Sequence, residues 1–195
     1  MVIREYRPED EQGWVRCRVL SFLNTAYFDH VLQEKEKYIH PAIELVAIED
    51  GKVVGLIDIE YELKERTVCS RGTGLGGMIW HIAIHPDYQR QGIGTKLLNK
   101  AIEIAKPKGL NRFEAWTRDD KWVNEWYNNT GFLKVDAYLH VFMDGGEEVK
   151  GAIKSEIANL HPVQAFAHYV GEDEEEIKNK FARVHECSCF EKELT

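Results

Sequence analysis

Met78-Ile79-Trp80-His81-Ile82-Ala83-Ile84-His85-Pro86-Asp87-Tyr88-Gln89-Arg90-Gln91-Gly92-Ile93-Gly94-Thr95-Lys96-Leu97-Leu98 joins an apolar run to an amphipathic one. The run Met78 to Ile84, closed by His85-Pro86-Asp87, predicts a strand buried on both faces and central in its sheet. Beyond it, Ile93, Leu97, Ala101 and Ile104 recur at helical spacing, with Lys96, Lys100 and Glu103 opposite and Pro107 and Gly109 ending the run. A glycine-rich turn from strand into helix leaves main-chain N–H groups free at the positive end of the helix dipole, where a diphosphate can sit. Gly92 and Gly94 keep Cβ atoms out of its way, and Arg90 and Lys96 add positive charge. A Gly-x-Gly helix start also reads as a tight turn and nothing more. The segment Gln89 to Gly94 holds no Gly-x-Gly-x-x-Gly, and the connection from His85 to Gln91 is long, which disfavours a nicotinamide enzyme.

Upstream, Val2 to Tyr6 reads as a strand and residues 9 to 23 as a helix bearing Trp14, Val15, Cys17, Val19, Phe22 and Leu23. A shorter second helix is expected within Thr25 to Tyr38, before Pro41. Ile43 to Ile48 and Lys52 to Leu63 form a hairpin through Glu49-Asp50-Gly51. Alternation in its second strand puts Asp58, Glu60 and Glu62 on one face, either solvated or a wall that attracts a cation. Residues 70 to 77 are glycine-rich but lack a following Lys-Ser/Thr, so they read as a flexible connection and not a nucleotide loop.

Downstream, Arg112 to Thr117 is a strand, and Asp119 and Asp120 cap a helix carrying Trp122, Val123 and Trp126 that Gly131 stops. One or two strands follow over Phe132 to Met143. After Asp144-Gly145-Gly146 the pattern changes: 147 to 183 reads as helical with a break near His161-Pro162, and Val184 to Leu194 alternates like an edge strand. The chain thus divides into a main domain, 1–144, and an appendage, 145–195, which is also a candidate for homodimerisation.

The 195 residues, 44% hydrophobic, suffice for one such domain with its own core. A formal charge of -8 disfavours nucleic acid, which needs clustered Lys and Arg, and suits a cationic small molecule. No signal peptide or membrane-length apolar run is visible, so the expected compartment is the cytoplasm, without membrane contact. Cys17, Cys69, Cys187 and Cys189 read as reduced thiols. His185, Cys187 and Cys189 lack a fourth ligand at a usual spacing and read as alternating strand residues, so no metal is expected.

His81 to Leu98 resembles the acetyl-CoA motif of the GNAT superfamily of N-acetyltransferases, Gln/Arg-x-x-Gly-x-Gly/Ala after an apolar strand. A second segment, Trp126-Tyr127-Asn128-Asn129-Thr130-Gly131-Phe132, resembles that family's Leu-Tyr-x-x-x-Gly-Phe. The resemblance covers about residues 2 to 143. It implies a mixed α/β (α+β) fold with a largely antiparallel twisted sheet and helices on both faces. It also implies acetyl-CoA as donor, held by Ile82, Ala83, Ile84 and Gln89 through Lys96, with Asn124 and Tyr127 on the later helix. Asp120 and Val123 stand where the family often has Asn and Ala, and Asn124 is the candidate to supply the amide instead.

The resemblance gives Tyr127 the role of protonating the departing thiolate, which a phenol that stays protonated near neutral pH can do. The acceptor must attack as a neutral amine. At pH 7 neutrality costs about 4.6 kcal/mol for a lysine-like amine and about 1.4 kcal/mol for an α-amine. Glu114, placed like a glutamate that some members use as base, and His81, whose unperturbed pKa suits base duty, are the candidates; an ion-paired strand residue and a satisfied core histidine are their plainer readings. The expected reaction is direct attack on the thioester by a small cationic amine. A protein N-terminus or lysine, and a non-catalytic acyl-CoA-binding module, are the alternatives.

Overall fold

The computed structural model describes residues 1–194. β1 (Val2–Glu5) leads through a single turn of 3-10 helix into α1 (Glu11–Phe22), and β2 (Ala42–Glu49) and β3 (Lys52–Tyr61) form the hairpin. Its turn holds Asp50 at φ 48° and Gly51 at φ 75°, the left-handed pair that matches strand twist. There follow β4 (Gly76–Ile84), α2 (Ile93–Ala105), β5 (Arg112–Thr117), α3 (Lys121–Asn129) and β6 (Leu133–Asp144). The remainder comprises α4 (Gly145–Lys150), β7 (Gln164–Tyr169), α5 (Glu174–Lys180) and β8 (Arg183–Glu193).

The strands form one eight-stranded sheet in the order β1-β2-β3-β4-β5-β8-β6-β7. Only β4 and β5 pair in parallel, so the sheet is mixed and largely antiparallel, as expected. Alternation sorts β2 onto two faces: Leu45 and Ala47 pack with Leu97, Leu98 and Tyr127 of α2 and α3, and Val46 packs with Trp14 and Cys17 of α1.

Five expectations need correction. The last strand is interior, not an edge: β8 pairs with both β5 and β6, and Cys187 to Phe190 are buried in succession because both strand faces are covered. The edge is β7, which had read as helix; its alternation of half-buried Ala165, Ala167 and Tyr169 with exposed Phe166 and His168 is a strand's. No helix forms over Thr25 to Tyr38, because sheet and helix side chains claim that segment's polar groups. Arg18 bonds the His30 carbonyl at 2.8 Å, Asp120 accepts from Ala26 N, Glu11 accepts from Lys35 N, and Asp58 accepts from the Tyr38 hydroxyl.

Finally, the carboxylates of β3 are not solvated, and residues 70–77 are not a loose connection: Gly76 and Gly77 open β4, and the loop 64–75 before them is anchored. Asp58 and Glu62 are 0% exposed and Glu60 7%. Glu62 accepts from the N–H groups of Thr67, Val68, Cys69 and Gly76, while Glu114 accepts from Ser70 and Arg71. Arg112, also buried, lies 3.6 Å from both carboxylates and offsets part of their charge. The acidic face that looked like a surface is the set of anchors that fixes the loops over the sheet.

Candidate active site

β4 and β5 pair only from Gly76 with Arg112 to Ile79 with Ala115. Beyond that point β4 continues to Ile84 without a partner on that side, so the strands splay and leave main-chain groups of β4 open. The splay begins at a bulge: His81 faces Asp58 and Ile79 faces Ile59 on β3, which leaves Trp80 as an extra residue. A bulge of this kind re-aims side chains, and Trp80 stands 48% exposed with its indole N–H on Glu60 at 2.8 Å.

Into the splay opens a mainly apolar cleft of about 250 Å³. Of the expected cofactor residues, Ile82 to Ile84, Gln89, Arg90 and Gly92 to Thr95 line it; Gln91, Lys96, Asn124 and Tyr127 do not. Ser21, Phe22 and Thr25 from the end of α1, and Trp122, Val123 and Trp126 of α3, complete its walls. At its outer end Gly92 is the N-cap of α2 at φ 74°, with no side-chain cap. The N–H groups of the first turn, Ile93 to Thr95, therefore keep their free end toward the cleft. A Cβ on Gly92 would meet no atom within 4 Å, so the space before the helix belongs to the cleft. Gly94 differs: a Cβ there would touch the Trp126 ring at 3.6 Å, so its lack of a side chain also serves the packing of α2 on α3.

The residues named for α3 are engaged internally. The Asn124 amide donates to the carbonyls of Arg118 and Asp120 and closes the turn into the helix. Asp120 occupies the N-cap position but turns its carboxylate to Ala26 N, tying the 23–41 segment to α3. Tyr127 is 3% exposed, stacked on Phe190 at 5.1 Å with Trp126 and Phe132 at its edges. Burial pushes its phenol upward, so the hydroxyl stays protonated throughout the neutral range.

Both candidate bases are occupied. Glu114 is 0% exposed and accepts from Ser70, Arg71 and the Trp116 indole, besides facing Arg112. His81 is 4% exposed; its Nδ1 lies 3.2 Å from Arg18 Nε and its Nε2 lies 2.6 Å from Glu36 Oε2. An arginine Nε–H only donates, so Nδ1 is the acceptor and Nε2 carries the proton toward Glu36. Neither ring nitrogen is left with a free lone pair for an incoming ammonium. Sequence reasoning missed Arg18 and Glu36. A signal for Arg18 existed: it lies on the face of α1 that buries Trp14, Cys17 and Ser21, where a cation requires a partner.

The expected metal-like trio is dispersed in function: His185 Nδ1 lies 2.8 Å from Asp119, while Cys187 and Cys189 are buried thiols. No cluster of three or more such side chains suited to a metal occurs among the described residues, and no helix there is long and apolar enough to cross a membrane.

Residues 3–132 match the sequence profile of the Acetyltransferase (GNAT) family. An N-alpha-acetyltransferase 30 of Schizosaccharomyces pombe is 26% identical over 106 residues, 54% of this chain and 67% of that protein. The chain spans between 24% and 78% of the length of the curated relatives it matches. A GNAT-family acetyltransferase structure from Streptococcus pneumoniae aligns at a TM-score of 0.62 with 16% identity, over 100% of this chain and 99% of that one. The PaiA N-acetyltransferase of Thermoplasma acidophilum, solved with coenzyme A, aligns at 0.55 with 18% identity, over 69% and 91%. These two likenesses show the fold; the profile, which covers two thirds of the sequence, shows that the chain belongs to the GNAT family of acetyltransferases.

Proposed function

We propose that this protein transfers acetyl from acetyl-CoA to a primary amine by direct attack in a ternary complex. One observation carries the reading: the uncapped start of α2 and the unpaired length of β4 meet in a single cleft. The first offers N–H groups and a dipole to a pyrophosphate; the second offers strand-like hydrogen bonds to the amide-bearing pantetheine arm. When bound, the thioester supplies the activated acetyl group. The Ile82 to Ile84 backbone orients the arm and Phe22 and Trp126 exclude water; Tyr127, buried against Trp126 and outside the lining, is assigned as proton donor for the leaving sulfur by the motif it shares with the family. With Glu114 and His81 both bonded, the acceptor's proton leaves through solvent at the open mouth and not to either side chain.

We assign a cationic small molecule as acceptor, since the net charge is -8 and Trp80, 48% exposed at the bulge, offers an aromatic ring that suits a cation. An α-amine on a protein N-terminus is the second reading; it is favoured by the name of the S. pombe relative and by its smaller deprotonation cost. The test joins thermal shift with acetyl-CoA to thiol release over a panel of a diamine, an aromatic amine, a free amino acid and a short peptide. Stabilisation with turnover of the diamine supports the first reading and peptide turnover the second. Stabilisation with no turnover supports a non-catalytic acyl-CoA-binding module.

A further inference from the structure

Among the acidic side chains near the splay, Glu36 is unlike its neighbours. Asp58, Glu62 and Glu114 are 0% exposed and Glu60 7%, and each is consumed by the N–H, O–H or ammonium groups it anchors. Glu36 has a side chain 40% exposed and uses only Oε2, which receives His81 Nε2–H. Its Oε1 makes no hydrogen bond to the described residues. Behind it stands a buried device with fixed polarity. Arg18, 0% exposed, gives Nε–H to His81 and its two terminal nitrogens to the carbonyl and ring of His30. Burying a guanidinium is costly unless it is paired, and here its charge reaches a carboxylate through one imidazole.

The location is equally specific. Arg18 packs over Phe22 at 4.5 Å and His81 precedes Ile82, and Phe22 and Ile82 both line the cleft. Ile82 lies at the splay end of the β4 wall, and the first turn of α2 lies beyond Ile84. Glu36, held on His81, therefore stands outside the cleft lining, next to the β4 residues that open it and away from the first turn of α2. The hydrogen bond from His81 is the main influence holding its carboxyl below the usual carboxylate range, which keeps it anionic at neutral pH.

We propose that Glu36 is the acceptor-binding carboxylate, pairing with an ammonium of the incoming amine, and that His81 and Arg18 are positioning residues that hold it at the splay. This assignment rests on the acetyltransferase reading above and deepens it, because it selects cationic amines over acceptors whose own carboxylate lies near the amine. His81 acts through Glu36 and not as a base.

The decisive comparison is wild type against Glu36→Gln, which keeps an acceptor for His81 and removes the charge. Thiol release is measured with putrescine and with alanine at two ionic strengths. The KM for putrescine should rise roughly tenfold or more, with the KM for acetyl-CoA and the acetyl-CoA thermal shift unchanged. The wild-type KM should climb with salt and the variant's should not. His81→Phe should raise the same KM, and the double variant should be no worse than the worse single one, since the two act as a unit. Wild-type turnover with an unaltered putrescine KM and salt response in Glu36→Gln overturns this inference alone. A wild type that is stabilised by acetyl-CoA but turns over no amine overturns the acetyltransferase reading and this inference with it.

Discussion

Tyr127 and His140 illustrate how burial sets what one residue can do. The hydroxyl of Tyr127 makes no hydrogen bond to the described residues although its ring lies in the core. Tyr127→Phe should therefore leave the melting temperature unchanged or slightly higher, and lower kcat by roughly 10²-fold if the phenol protonates the leaving sulfur. Melts and steady-state rates on one preparation check both halves; equal kcat would remove the role. His140 is 8% exposed, accepts from Arg118 Nε at 3.0 Å, and lies stacked on His168 at 4.8 Å. Burial, then the Arg118 charge, pushes its pKa down to about 3. An unfolded histidine binds its proton near 6.5, so between these values the unfolded chain holds more protons and stability falls as pH falls. The midpoint of urea unfolding should decline from pH 7 to 5, where most carboxylates remain ionised. His140→Gln, which can still accept from Arg118, should make that decline shallower. A remainder of the same sign should persist from His30, which burial and Arg18 also push down.

At the scale of elements, legibility followed periodicity. The hairpin, β4, α2, β5 and α3 were readable because their apolar positions recur at 2.0 or 3.6 residues and Gly or Pro mark their ends. The segments 23–41 and 64–75 were not, since their order comes from Asp58, Glu60, Glu62 and Glu114, which lie far away in sequence. The same limit applied to the site. The uncapped start of α2 at Gly92 was legible from its glycines, whereas the partners of His81 belong to α1 and the 23–41 segment, which no local spacing joins to β4. Two element-level tests follow. Gly92→Ala forces a Cβ into φ 74° with no clash, so it should cost about 1 kcal/mol and weaken the acetyl-CoA thermal shift while the chain still folds. Arg112→Met removes the only cation facing Glu62, Glu114 and Glu191 among the described residues. Leaving such carboxylates buried and unneutralised should destabilise by about 3 kcal/mol and expose residues 64–75 to limited proteolysis. An unchanged urea midpoint would show that the N–H groups of the loop suffice alone.

For the whole molecule, the consequential feature is the insertion of β8 between β5 and β6. The composition change after Asp144 invites a boundary there, yet the last eleven-residue strand supplies Phe190 to the cluster that also buries Tyr127 and Phe132. Its removal would strip β5 of the partner opposite β4, and β6 would keep no neighbour, because β7 lies within the same terminal stretch. Two apolar strand edges would then be open, a state that aggregates more readily than it folds. A chain ending at Asp144 should therefore be recovered insoluble or, if soluble, should lack a cooperative melt and any shift with acetyl-CoA. A shorter excision makes the complementary test. Replacing residues 146–180 with a short glycine-serine linker removes α4, β7 and α5, keeps β8 in its slot, and leaves α1, α2 and the β4–β5 splay intact. That variant should be less stable, since it loses the cluster around Val149, Ala165 and Ile177, but should retain the acetyl-CoA shift. If both variants bind acetyl-CoA equally well, the interior strand is dispensable and the cleft is held by residues 1–144 alone. If only the excised chain binds, the donor site depends on a strand that arrives at the end of the sequence to complete the sheet.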